Sequence, residues 1–152
     1  SSRDGVRQVA LRISIVLGEN GGAFPVMRNF VKLGLGGAQG PGNQWISWLH
    51  IDDWTGIAKF LLKNPEISGP VNLSSPNPVT NSDFMASMRK VFAPLGLGFP
   101  APTPAIYLGA VFLGTAPELV LNSRKIISRI LDDNSYSFSY SKISSAIQSF
   151  EG

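Results

Sequence analysis

Gln44-Trp45-Ile46-Ser47-Trp48-Leu49-His50-Ile51-Asp52-Asp53-Trp54 follows the glycine-rich run Gly34-Leu35-Gly36-Gly37-Ala38-Gln39-Gly40-Pro41-Gly42. The stretch joins three unlike signals: a loop, a strand-like segment running through the single histidine of the chain, and an acidic helix start. Residues 45–51 predict a short strand, and Asp52 or Asp53 can cap the helix behind it by accepting its first free backbone N–H groups. Trp54, Ile57, Ala58, Leu61 and Leu62 then recur at the spacing of one helical face, and Asn64-Pro65 ends the pattern. A loop that meets the ends of regular elements in this way is a common place for ligand contacts.

Upstream, residues 6–17 place Val9, Leu11, Ile13, Ile15 and Leu17 on one face with Ala10 and Val16 opposite, which predicts a strand buried on both sides. Asn20-Gly21-Gly22 makes a turn, and from Pro25 the period lengthens: Val26, Phe30 and Leu33 predict a helix that Gly34 stops. Downstream, residues 69–74 read as a second strand. Thr80-Asn81-Ser82-Asp83 has the spacing of a capping box, with Asp in place of Glu, ahead of the Phe84, Met88, Val91 stripe. Strand, helix, strand, helix predicts α/β packing. Beyond Phe92, Gly96, Gly98, Pro100, Pro102 and Pro104 form a breaker-rich connector, followed by helical runs at 105–113 and 117–121. Ser135-Tyr136-Ser137-Phe138-Ser139-Tyr140 alternates serine with aromatics and predicts a half-buried strand; Ile143, Ile147 and Phe150 predict a last amphipathic helix.

With 152 residues and 43% hydrophobic content the chain can bury a core. Its net charge of +3 is scattered rather than clustered, so no footprint for nucleic acid stands out. Zero cysteines exclude a disulfide framework and thiolate metal sites, which fits a reducing compartment and predicts a cytoplasmic location. The longest apolar run is far shorter than the roughly 20 residues of a membrane-spanning helix. The opening Ser-Ser-Arg-Asp-Gly has neither an initiator Met nor an apolar signal region, which predicts a fragment of a longer protein.

The chemistry is bounded first by what these residues lack. One histidine and no cysteine make a zinc centre improbable, and the adjacent Asp52 and Asp53 tend to point apart. A Gly-x-Ser-x-Gly elbow and a Walker phosphate loop are both absent. Gly34, Gly36 and Gly40 superficially imitate a dinucleotide turn, yet the run follows a helix and precedes a strand, whereas pyrophosphate binding needs a strand leading into a helix. The run reads as a flexible connector or as a mobile loop over a pocket. Gln44, Trp45, Trp48 and His50 are the candidate substrate-binding residues, since aromatic faces stack on rings and an amide both donates and accepts. Each has a structural alternative: a tryptophan packs in cores, and a lone histidine in a strand is commonly a hydrogen-bonded interior residue. Asp53 reads as a helix cap rather than a catalyst, and Asn72 either reaches a crevice or closes a turn.

The motifs Arg12-Ile-Ser-Ile-Val-Leu-Gly18, Gly21-Gly-Ala23, Gly34-Leu-Gly-Gly37, Gln44-Trp45, Trp48-Leu-His-Ile-Asp-Asp53, Gly69-Pro-Val-Asn72, Pro76-Asn-Pro-Val-Thr-Asn81 and Phe84 resemble, in order, the extended short-chain dehydrogenase/reductases. More narrowly they resemble the sugar-nucleotide epimerase-like branch, the NAD(P)-dependent epimerase/dehydratase proteins with a small carboxy-terminal domain. Glu118-Leu-Val-Leu-Asn-Ser-Arg124 and Phe138 resemble that small domain. Two departures stand out: Asn134-Ser135-Tyr136 where the branch has Gly-Phe, and Ser128 where a proline is usual, so the small domain is expected to pack differently.

The resemblance implies an α/β fold made of the carboxy-terminal part of a Rossmann-like parallel sheet plus a small, mostly helical substrate-side subdomain. Residues 1–93 would end the Rossmann-like domain and 94–152 would form the small domain. Strands at 8–17 and 70–73 should then run side by side in the same direction, with residues 48–53 near their crevice. The family's cofactor turn and its catalytic Tyr-x-x-x-Lys would precede Ser1; no tyrosine here has a lysine four residues later, and Tyr140-Ser-Lys142 has the wrong spacing. Catalytic residues are therefore expected on a missing amino-terminal Rossmann half, and alone this chain should not transfer hydride. The implied cofactor is NADP or NAD, with Arg12 as the contact candidate through its fork of donors, or else as half of a structural ion pair. The implied substrate is a small molecule of nucleotide-sugar type, with oxidoreductase or epimerase chemistry; a non-catalytic nucleotide-binding or interaction module of the same fold is the alternative.

Overall fold

The computed structural model describes residues 5–93, 95–101 and 122–151; the helices expected at 105–113 and 117–121 lie outside them. The chain is mixed α/β. Strand β1 (Val9–Ile13) is followed by β2 (Ile15–Leu17), helix α1 (Ala23–Lys32), β3 (Trp45–Ile46), β4 (Trp48–His50), helix α2 (Ile51–Lys63), β5 (Gly69–Leu73), β6 (Val79–Thr80) and helix α3 (Asn81–Phe92). Helices α4 (Arg129–Asp133) and α5 (Ile143–Gln148) follow.

β1 and β2 come from the single strand the sequence predicts, and Ser14 divides them. β1 runs parallel to β5, with Val9 opposite Gly69, Arg12 opposite Asn72 and Ile13 opposite Leu73. β2 runs parallel to β4, with Ile15 opposite Trp48 and Leu17 opposite His50. The change of partner follows from the pleat, because successive backbone groups of a strand point to opposite sides. Ser14 N–H donates to Leu73 C=O at 3.0 Å, and the next N–H, on Ile15, donates the other way to Ser47 C=O at 3.2 Å. One edge of the strand is thus paired along β1 and the opposite edge along β2. A short antiparallel pair, β3 with β6, sits beside them.

Contrary to the sequence expectation, β1 is not buried on both sides: Ala10 to Ile13 are exposed, with Leu11 at 38% and Ile13 at 50%. Among the described residues β5 is its sole ladder partner, so the apolar alternation is present without anything lying on the second edge.

β4 separates two cores. Its neighbours Trp48 and Leu49 are both fully buried, and the alternation of a strand sends them to opposite faces. Trp48 packs with Leu17, Phe24, Phe84, Met88 and Ile147. Leu49 packs with Ile57, Leu61, Val71, Leu73 and Leu131. Helix α1 exists where expected, but it buries Phe24 and Val31 while leaving Leu33 at 75% exposure, because α3 and β2 pack against a different face of the helix from the predicted stripe. In α2 the buried positions are Asp53, Ile57 and Leu61, and Leu62 stays exposed. In α3 the Thr80 hydroxyl caps Asp83 N–H at 3.2 Å and donates to the Asp83 carboxylate at 2.7 Å, so the short acid closes the box through the side chain.

The glycine run is not a free connector. Gly37 N–H donates to Phe99 C=O, Gly40 N–H to Ala101 C=O, Phe99 N–H to Gly34 C=O and Ala101 N–H to Ala38 C=O, all within 3.1 Å. The Arg89 guanidinium adds a 2.6 Å bond to Gly36 C=O. Glycine is needed at Gly37 because a Cβ there would overlap the backbone of Phe99 and Pro100. The absence of side chains that suggested flexibility instead lets two backbones touch.

Residues 135–140 also form no strand. Tyr136, Phe138 and Tyr140 are half-buried and the serines between them exposed, as the alternation predicts. Their N–H groups go elsewhere, however, as the site shows.

Candidate functional site

His50, at the carboxyl end of β4, does the capping that the sequence assigned to an aspartate. Its Nδ1 accepts the Asp52 N–H at 3.1 Å and so satisfies one of the orphan donors at the start of α2. Its Nε2 lies 3.0 Å from Ser149 Oγ. The ring is stacked between Tyr140, at 3.9 Å between centroids, and Phe150, at 4.7 Å. At 3% exposure it is an interior group. Burial pushes its pKa below the ordinary value, against the opposing pull of Asp52 and then Asp53.

Asp53, freed from capping, is 1% exposed and reaches across to the carboxy-terminal segment. Its two carboxylate oxygens accept Ser139 N–H at 2.7 Å and Tyr140 N–H at 3.0 Å. Those bonds replace the ladder that the serine-aromatic alternation predicted. Tyr136 packs against the same helix, its hydroxyl 3.4 Å from Asp53 C=O, and burial followed by the Asp53 charge raises its pKa.

Serines tie one crossing segment to the parallel strands. Ser14 Oγ donates to Leu73 C=O at 2.8 Å. Residues 123–127 pass over the strands: Trp45 N–H donates to Ser123 Oγ, Ser47 Oγ donates to Arg124 C=O and accepts Ile126 N–H, and Ser74 Oγ donates to Ile126 C=O. Asn72 Nδ2 reaches Ile127 C=O at 3.3 Å, so this side chain ties the segment down and does not close a turn. Arg12, paired in register with Asn72, is exposed, and no acidic partner for it exists among the described residues.

The sequence-predicted residues therefore divide. Arg12 lies on the open face of β1. Trp45 is half-buried with the Lys125 ammonium 3.9 Å from its ring centre, a cation–π contact that occupies one face. Gln44 is 4% exposed and its amide donates to Gln39 C=O at 2.7 Å. Trp48 has no exposed ring surface, and its indole N–H donates to Asn77 C=O at 3.0 Å. His50 is likewise enclosed by two aromatic rings, so Trp48 and His50 both make core contacts in this structure. A cavity of about 390 Å³ is lined by none of them and lies between Glu19, Arg28, Lys32, Phe92, Phe150 and Glu151. Among the described residues no three His, Asp or Glu side chains converge on a possible metal position, and no helix is long and apolar enough to cross a membrane.

Sequence reasoning missed the binding of residues 123–127, Arg7 and the Ser135 backbone. Arg7 Nη1 donates to the C=O groups of Leu61, Asn64 and Ile67 and so closes the end of α2. Ser135 is the one described non-glycine residue with positive φ, at 55°, directly after α4. The signal was legible: Ser135 stands at the Gly-Phe position of the family pattern.

No family model matches the chain. An epimerase family protein SDR39U1 homologue, chloroplastic, of Arabidopsis thaliana is 33% identical over 144 residues, which are 94% of this chain and 40% of that protein. Epimerase family protein SDR39U1 of Homo sapiens is 32% identical over 95% of this chain and 48% of its own length. The crystal structure of the human protein with NADPH superposes with a TM-score of 0.82 at 30% identity, over 99% of this chain and 50% of that one. A nucleoside-diphosphate sugar epimerase from Corynebacterium glutamicum superposes with a TM-score of 0.70 at 31% identity, over 94% of this chain and 26% of that one. The chain thus spans about half the length of most of the curated relatives it matches. Taken with the parallel pairing of β1 and β5, these similarities make the chain a relative of the epimerase family proteins and of NAD(P)-dependent sugar epimerases of the short-chain dehydrogenase/reductase type.

Proposed function

We propose that this chain forms the substrate-side half of an NAD(P)-dependent epimerase, dehydratase or reductase acting on a nucleotide-sugar-like substrate. The observation that carries the reading is the open edge of β1. The backbone groups of Val9, Leu11 and Ile13 lie on the side away from β5, flanked by exposed apolar side chains, and an unpaired strand edge of this kind calls for another strand. A cofactor-binding half carrying the glycine turn and the Tyr-x-x-x-Lys, neither of which occurs in these 152 residues, meets that requirement.

In that assembly the tyrosine of the cofactor-binding half would serve as general acid/base, and a bound nicotinamide would supply the hydride chemistry. This chain holds rather than reacts. Arg12, exposed beside the open edge, is the cofactor-side cation, and Gln44 and Trp45 stand at the substrate side. The crystal structure of the human relative with NADPH supports that cofactor for the whole protein.

The test is binding and turnover in the longest polypeptide carrying these residues. Arg12→Ala should weaken NADPH about tenfold, the worth of one charge-assisted hydrogen bond. Trp45→Ala should raise KM for a nucleotide sugar and leave NADPH affinity alone. Residues 1–152 by themselves should bind NADPH weakly or not at all by fluorescence titration; tight binding there would refute the division of labour.

A further inference from the structure

His50 holds a hydrogen-bond network with room for one ring proton. Nδ1 accepts from Asp52 N–H, so it carries no hydrogen. Ser149 Oγ spends its hydroxyl proton on Ala146 C=O at 2.8 Å, so at 3.0 Å from Nε2 it can act only as acceptor. Nε2 therefore bears the proton, and every partner is satisfied by the neutral ring. A second proton would go on Nδ1, where it would confront the Asp52 N–H and leave α2 without its cap.

We propose that His50 is a proton-operated latch whose neutral ring caps the start of α2 while it holds the carboxy-terminal segment 138–150, and whose protonation at Nδ1 uncaps α2. The geometry makes one ring serve both sides. On the α2 side it caps the helix; on the other it meets Ser149 and lies between Tyr140 and Phe150. Asp53, three residues on, clamps Ser139 and Tyr140 of the same segment.

The groups facing the ring do not cancel the effect. From α2 come the Asp52 carboxylate, 3.6 Å from Nδ1, and Asp53; from the carboxy-terminal segment comes the Tyr140 phenol; α5 leads to the Ser149 hydroxyl; β2 brings only Leu17 in register. Asp52 is 66% exposed, so the ion pair it could form with a protonated ring is screened by water. Asp53 already accepts two backbone N–H groups. Because the folded pKa lies below 6.5, the latch is fully closed above that pH and is lost as pH falls through the folded value.

Histidine ring ¹⁵N NMR and amide exchange on the intact chain test the proposal. At about pH 7.5 the spectrum should show Nδ1 bare and Nε2 protonated. Between about pH 7.5 and about pH 5, protection of the Asp52 amide and the first turn of α2, corrected for intrinsic rates and referred to the α2 interior, should fall about fivefold, the equilibrium cost of one lost N-cap. In His50→Asn, whose amide oxygen caps without titrating, that ratio should stay level. Ser149→Ala keeps the cap but removes the acceptor for Nε2–H, and should leave the Asp52 amide protected while lowering protection of Ser139, Tyr140 and α5 already at neutral pH. A proton found on Nδ1 at neutral pH, equal protection at both pH values, or a parallel fall in His50→Asn would each overturn the latch.

Discussion

Replacing Ser135 by glycine should stabilise this protein. Helix α4 ends in a Schellman arrangement: Ser135 N–H donates to Asp132 C=O at 2.9 Å, Tyr136 N–H donates to Leu131 C=O at 2.8 Å, and Ser135 lies in the left-handed region at φ 55°. Holding a residue with a Cβ in that region costs about 1–2 kcal/mol, and glycine removes the cost. Glycine also enlarges the unfolded ensemble, which takes back about 0.4–1 kcal/mol. The net gain is on the order of 0.5–1 kcal/mol, or about 1–4 °C in Tm for a chain of this length. The serine is exposed and its hydroxyl makes no hydrogen bond to the described residues, so nothing else is lost. Urea denaturation of the parent, Ser135→Gly and Ser135→Ala should rank glycine highest, with alanine no better than the parent because it retains the Cβ. If glycine proves no more stable than alanine, left-handed strain at this turn is not the governing term and the reasoning fails.

Two further perturbations probe the contacts that position the site. Asp53→Asn keeps the shape but offers one acceptor where two backbone N–H groups need one each; it should destabilise by about 2 kcal/mol in chemical denaturation, with exchange of Ser139 and Tyr140 most affected. An Asp53→Asn protein with parental stability would mean that the carboxylate is not what holds residues 139–140. Gly37→Ala, whose Cβ would overlap Phe99 and Pro100, should cost about 1–3 kcal/mol, whereas Gly18→Ala, whose Cβ would meet Ile51 at an ordinary 3.5 Å, should lack that overlap cost; equal effects at the two glycines would return the run to the status of a loose connector.

How far the sequence reaches is clearest at α2 and the strands around it. Period alone places α2, α3, α5 and the two long strands, because burial on one face must recur at the spacing of the element, and the family motifs orient β1 and β5 correctly as parallel neighbours. Which side of α1 is buried, the splitting of the first strand at Ser14 and the pairing of the glycine run with residues 99–101 depend on what lies opposite, which no local pattern encodes. The same limit governed the site. That His50, Asp52 and Asp53 form a helix junction was legible in eleven residues of sequence. That the histidine rather than an aspartate is the cap, leaving Asp53 to gather the amides of Ser139 and Tyr140, was decided by a segment more than 80 residues away along the chain. A buried carboxylate goes to whichever backbone donors lack partners, and only the folded chain determines which those are.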